Sequence, residues 1–202
     1  MIDAKIVSQL RTMTGAGIVE CKKALEEANG DLAAAAELLR KKGIAKAGSK
    51  AERNTSEGLI YAYVHGNGKV GAMVEILCET DFVARTEGFK ELCHELGLQI
   101  AAMNPLYVSK DQIPAEVVEK EKSIYAEEFA GSSKPADVVG KILEGKLSKW
   151  YSEVCLLNQA YIKDEDKTVE DIVKETISKC GENIQVKRFT RFAMEGSTQV
   201  PG

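Results

Sequence analysis

The 202-residue sequence predicts an α+β fold, in which a three-helix N-terminal domain precedes an antiparallel β-sheet core covered by helices. Three observations carry that expectation. Residues 1–42 space their apolar side chains three and four apart and show no strand-like alternation. From residue 58 the period falls to two on either side of Gly66-Asn67-Gly68, a strong hairpin signal. Helical spacing then returns, and the chain closes on the long β-rich run "ENIQVKRFTRFAM".

In the first segment Ile6, Val7, Leu10 and Met13 share one helical run, Val19, Cys21 and Leu25 a second, and Leu32, Leu38 and Leu39 a third. "TGAG" at 14–17 and "ANGD" at 28–31 separate them, with Thr14 and Asp31 as candidate N-caps and Gly30 as a helix stop. Three helices so short form a compact bundle of ubiquitin-associated-like size. Residues 43–57 follow as a basic, partly helical linker, poor in large apolar side chains. Its cations, with Arg40, Lys41 and Lys42 just before it, are candidates to meet phosphate, but no aromatic is interleaved for base stacking and a solvated linker is the simpler reading.

Residues 58–202 form the α+β core. Val70, Ala72, Val74, Ile76 and Cys78 fall on one face of the second hairpin strand, which is the core side. Phe89, Leu92, Cys93, Leu96 and Ile100 mark an amphipathic helix beyond it. Pro114 and Pro135 suit helix starts, giving helices near 114–130 and 135–149. "SEVCLLNQAYI" reads as extended. Thr168 with Asp171 resembles a capping box for a helix ending at Cys180, with Gly181 as its stop.

Composition narrows the function classes. A net charge of −4 argues against direct nucleic-acid binding by the chain as a whole. The N-terminus carries Asp3 and lacks a signal-like apolar run, and nowhere do 18 apolar residues follow one another, so neither secretion nor membrane insertion is expected. Five scattered cysteines and two histidines, His65 and His94, offer no zinc spacing, and reduced thiols in a cytoplasmic protein are the simplest reading. "TGAGIVE" imitates a dinucleotide loop, yet its sixth position is Glu20 and it follows a helix. No Walker loop, nucleophile elbow or H-E-x-x-H run is present. Neither enzymatic activity nor a cofactor or metal site is therefore expected.

One stretch stands apart. In "CETDFVARTEGF", residues 78–89, Phe82 belongs to neither the apolar face of the strand before it nor that of the helix after it. Thr80 and Asp81 are turn and cap residues that hold a short loop stiffly at the surface. An aromatic presented in that way beside a carboxylate has the composition of a protein-binding hot spot.

This stretch, together with "LRTMTGAGIVECKKALEEANGDLAAAAELLRKKG" at 10–43 and "GENIQVKRFTRF" at 181–192, resembles the bacterial elongation factor Ts family in its short form. The likeness covers nearly the whole chain in order. It implies a guanine-nucleotide exchange factor that binds elongation factor Tu, GDP-bound or nucleotide-free, in translation elongation. By matching position, Thr80, Asp81, Phe82 and Val83 would contact the partner and dislocate its Mg²⁺, with Asp81 and Phe82 pushed into its nucleotide domain. Arg11, Gly15, Ile18, Val19 and Lys22 would grip a helix of the same domain, Ile18 and Val19 standing where other members carry methionine. Short members pair into homodimers, and the tail strand suits pairing across a two-fold axis. In "NQAYI", Ala160 stands where members often have proline. Two rivals remain: a ubiquitin-associated-like binding module on a dimeric scaffold with a different client, and a thiol redox catalyst with a low-pKa cysteine.

Overall fold

The computed structural model describes residues 2–129 and 135–194. Its elements are α1 (Ala4–Thr14), α2 (Ile18–Glu27), α3 (Leu32–Gly48), β1 (Glu57–Val64), β2 (Val70–Cys78), α4 (Asp81–Ala84), α5 (Glu87–Met103), α6 (Ala115–Glu127), α7 (Ala136–Val154), β3 (Ala160–Tyr161), β4 (Asp164–Thr168), α8 (Val169–Cys180) and β5 (Ile184–Ala193). N-terminal helices precede an antiparallel sheet of order β1-β2-β5 and further helices, an α+β architecture.

Two compact units are formed. The first takes the residues up to Leu59 with Ile76–Leu92 and Asp171–Gln185, and the second takes Ile60–Glu75, Cys93–Glu170 and the residues from Val186.

In the first unit Leu10, Cys21, Ala24, Leu25 and Ala35 form the buried centre of the helical bundle, with Ile6, Val7, Leu32 and Leu39 packed around it. Burial of each large aliphatic chain there stabilises by about 1.5–3 kcal/mol. Asp3 caps α1 through Lys5 N–H, and Asp31 caps α3 through the N–H groups of Ala33 and Ala34. Gly30 ends the second helix as expected, donating its N–H to Leu25 O at 2.8 Å with φ of 86°.

Thr14 does not cap α2. It lies in the last turn of α1, its hydroxyl donating to Leu10 O, and Gly17 takes the cap position. Val19, placed by spacing in the core run of α2, is exposed. The buried stripe is Cys21, Ala24 and Leu25, and a residue two positions before Cys21 lies some 200° around the helix from it.

The expected linker is partly helical, because α3 runs on to Gly48. Two of its cations, Lys50 and Arg53, are engaged within this unit. Lys50 Nζ donates to Ile177 O, and Arg53 reaches Glu79. Ahead of them Lys42 pairs with Glu27, and the Arg40 guanidinium holds the Glu37 carboxyl down at about 2 through two hydrogen bonds.

In the second unit the hairpin turns at Gly66-Asn67-Gly68, where Gly68 N–H meets His65 O and Asn67 Oδ1 accepts from Lys69 N–H. Ala72 and Val74 face inward along β2. Helix α5 lies so close to β1 that a Cβ on Gly97 would come within 2.8 Å of Tyr63 Cβ. Tyr61 and Tyr63 hydroxyls meet the Nδ1 atoms of His94 and His65 respectively, both at 3.1 Å. Buried Gln99 donates to Gln159 Oε1 and Ala160 O and accepts from Ile162 N–H, so the short β3 is bonded to α5 on both sides.

Two sequence expectations need correction here. Helix α6 ends at Glu127, and its expected end at residue 130 lies outside the described residues. Helix α7 runs to Val154, well past 149. Consequently "SEVCLLNQAYI" is largely not extended: Ser152–Val154 finish α7, Leu156–Asn158 make a 3₁₀ turn, and the strand is Ala160–Tyr161 alone. Buried Cys155 and Leu156 explain the misreading, since an apolar pair at a tightly packed junction looks like strand.

Candidate functional site

The strand β2 ends on buried Cys78, and the chain then bends at Glu79. Thr80 is extended, with φ of −130° and ψ of 155°, and its Oγ1 accepts Val83 N–H, so α4 begins at Asp81 without the loop expected from the sequence. Val83 and Ala84 are buried and pin this turn from beneath, which leaves Val83 no side chain to offer a partner. Phe82 points the other way and is 79% exposed. Asp81 beside it pairs with Arg85 at 2.7 Å.

Further hydrogen bonds hold the corner from the α8–β5 turn. Thr80 N–H donates to Glu182 Oε2 at 3.0 Å, and its hydroxyl donates to Glu182 Oε1 at 2.7 Å. Glu79 accepts Asn183 N–H at 2.6 Å and Arg53 at 3.4 Å, and these donors hold its carboxyl below the usual range. The buried Asn183 side chain donates to the carbonyls of Ala51 and Arg53. Sequence reasoning did not find Glu182 or Asn183, because the contact to Thr80 spans 102 positions and no local pattern announces it.

A second apolar surface surrounds the turn between α1 and α2. Gly15 adopts φ of 68° and donates its N–H to Arg11 O at 2.8 Å. Thr14 Oγ1 accepts Ala16 N–H, and Gly17 O takes the first helical bond from Cys21. Ile18 and Val19 are 57% and 67% exposed, and Met13, read from spacing as part of the core run, is exposed as well. Arg11 is exposed, and Lys22 lies 4.0 Å from Glu26.

On the second unit the outer sheet face carries exposed Ile60, Val64, Met73, Phe192 and Met194. Val64, Gly71, Met73, Phe192 and Met194 line a shallow groove of about 490 Å³ there. On β5, Arg188 pairs with Glu75 at 2.5 Å, and Arg191 donates to Ala101 O.

Burial pushes the Cys78 thiol up to about 11 and raises those of Cys155 and Cys180 too, the opposite of what thiolate chemistry requires. Among the described residues no cluster of three or more His, Cys, Asp or Glu is arranged to hold a metal ion. No helix among them is long and apolar enough to cross a membrane.

Comparison with known proteins shows the family of the chain. The family model described as Elongation factor TS matches residues 22–192. The chain is 56% identical to elongation factor Ts of Thermosipho melanesiensis over 194 residues, covering 96% of this chain and 99% of that protein. It is 56% identical to the one from Thermotoga maritima over 191 residues, with 95% of each chain covered. With that of Coprothermobacter proteolyticus it shares 53% over 193 residues, covering 96% and 98%. With a family model matching most of its length and relatives this similar end to end, the chain belongs to the elongation factor Ts family.

Proposed function

We propose that the chain is a guanine-nucleotide exchange factor in translation elongation, acting on the cytoplasmic GTPase elongation factor Tu, with residues 1–42 and the 78–89 corner as its two points of contact. The observation that carries this reading is Phe82, a large aromatic held 79% exposed on a pinned turn beside Asp81. An unpartnered aromatic ring in water is a favourable anchor for a protein interface.

The mechanism asks for no bond-making by this protein. Bound GDP is held by phosphate contacts and by Mg²⁺, which neutralises phosphate charge. Asp81 and Phe82, pushed into the nucleotide domain, displace what supports the cation, and GDP leaves. Thr80 shapes the turn and buried Val83 anchors it. Ile18 and Val19, with Arg11 and Lys22 around the Gly15 turn, supply an apolar grip with a charged rim. Coupling between factor and nucleotide is reciprocal, so the factor speeds exchange without selecting the final nucleotide.

The outer sheet face of the second unit supports a homodimer. Strand β5 is an edge of the sheet, and Phe192 and Met194 flank a groove that a second copy fills with its own apolar face. In this reading residues 43–57 connect the grip to a core and dimerisation domain spanning 58–202.

Release of a fluorescent GDP analogue from elongation factor Tu tests the proposal. The natural chain accelerates release, and Phe82→Ala is folded but much slower. No acceleration by the natural chain would leave a binding module on a scaffold with another client.

A further inference from the structure

A single turn of helix does not fix its own direction. Four residues form too few hydrogen bonds to offset the ordering of the chain, so the aim of α4 is set by the burial of Val83 and Ala84 beneath it and by what holds the two residues that lead into it. Those residues are Glu79 and Thr80, and the α8–β5 turn binds both. Asn183 N–H takes the Glu79 carboxylate, while the Glu182 carboxylate accepts the Thr80 N–H and the Thr80 hydroxyl on its two oxygens. The two-point bond fixes the peptide plane ahead of Thr80 and the rotamer of its side chain together. That rotamer in turn places Oγ1 where it accepts Val83 N–H. A charged acceptor makes each bond about twice as strong as a neutral one.

We propose that Glu182 is a positioning residue for nucleotide exchange: acting through Thr80, it sets the direction in which α4 presents Phe82 to the GTPase. The proposal rests on the reading of Phe82 as the wedge. In this proposal Glu182 acts through its bonds to Thr80 and not through a contact of its own with the partner. Its loss frees Thr80 to change rotamer, and the single turn with Phe82 on it then samples several directions, of which few are productive.

The test is a double-mutant cycle on GDP-analogue release, using the full chain with Glu182→Ala, Glu182→Gln, Phe82→Ala and the combinations. The expected result is that Glu182→Ala slows release about tenfold and Glu182→Gln about threefold, because an amide has one acceptor oxygen in place of two. In the Phe82→Ala background neither change slows release further. A role in stability alone lowers the melting temperature and slows both backgrounds by the same factor, which overturns the proposal, as does unchanged release by Glu182→Ala. Should Glu182→Ala fail to fold, Glu182→Gln carries the same cycle. If Phe82→Ala releases GDP as fast as the natural chain, the wedge reading is the one that fails and the role of Glu182 in exchange falls with it. If Phe82→Ala is slow and Glu182 substitutions are silent, only the positioning proposal fails.

Discussion

The two exposed apolar points of the first unit are built in opposite ways. Phe82 stands on a turn gripped from a distant part of the chain, by Glu182 and Asn183, with Val83 and Ala84 buried under it. Ile18 and Val19 open a helix whose entry turn is closed by local bonds within residues 10–21. One is anchored across a hundred positions of sequence and the other within a dozen. The difference suits the roles proposed for them: a wedge that displaces another protein's groups must not yield, whereas a grip gains from side chains that repack.

The comparison breaks first at Phe82. In the proposed role, Phe82→Ala is expected to slow exchange more than tenfold, the loss of a hot spot of about 2 kcal/mol, with GDP-analogue release as the readout. Its stability is expected to stay within about 0.5 kcal/mol of the natural chain's, read by thermal unfolding, since the ring packs on little of its own protein. Phe82→Leu also fails to restore the rate if rigidity matters.

Next comes the turn that sets the grip. Gly15→Ala places a Cβ where space is open enough, 3.6 Å from Lys179 Cγ, but at φ of 68°. The left-handed conformation costs an alanine about 1–2 kcal/mol, so calorimetry shows a lower melting temperature, a loss of stability that Phe82→Ala does not cause. Smaller still are Ile18→Ala and Val19→Ala, each expected to weaken partner binding by about 0.5–1 kcal/mol in titration calorimetry. Ile18→Met and Val19→Met are expected to leave affinity within about twofold, the mark of an edge that repacks.

What the sequence revealed of these two regions follows the same divide. The local devices were legible: Asp31 as a cap, Gly30 as a stop, the Gly66-Asn67-Gly68 hairpin and the inward face of β2 all depend on neighbours a few positions away. Phe82 stood out because it fitted neither adjoining register. Val19 was misplaced because three apolar positions in α2 cannot say which of them face inward until the bundle closes on Cys21, Ala24 and Leu25. The length of α7 was missed at Cys155 and Leu156, which are buried where the backbone pairs with Tyr107, distant in sequence. Glu182 and Asn183 lay beyond any local rule, since an exposed-looking Glu-Asn pair after a helix stop gives no sign of a threonine more than a hundred positions away.

Acid sharpens the contrast with the smallest effect. The Asn183 N–H and the Arg53 guanidinium, with Lys50 nearby, hold the Glu79 carboxyl below its ordinary value of 4.5. A carboxylate depressed in the folded state contributes its stability above the unfolded pKa and loses it as pH falls through the folded one. Between pH 7 and pH 5 this contribution of Glu79 is therefore unchanged, and below about 4.5 it is lost progressively. The bonds from Gly15 N–H to Arg11 O, from Ala16 N–H to Thr14 Oγ1 and from Thr14 Oγ1 to Leu10 O involve no carboxylate. Amide-exchange protection followed from pH 5 to pH 3.5 is expected to fall at Val83 and Asn183 before it falls at Gly15. Parallel loss at all three would mean that the unit opens as a whole and that the corner has no separate anchorage.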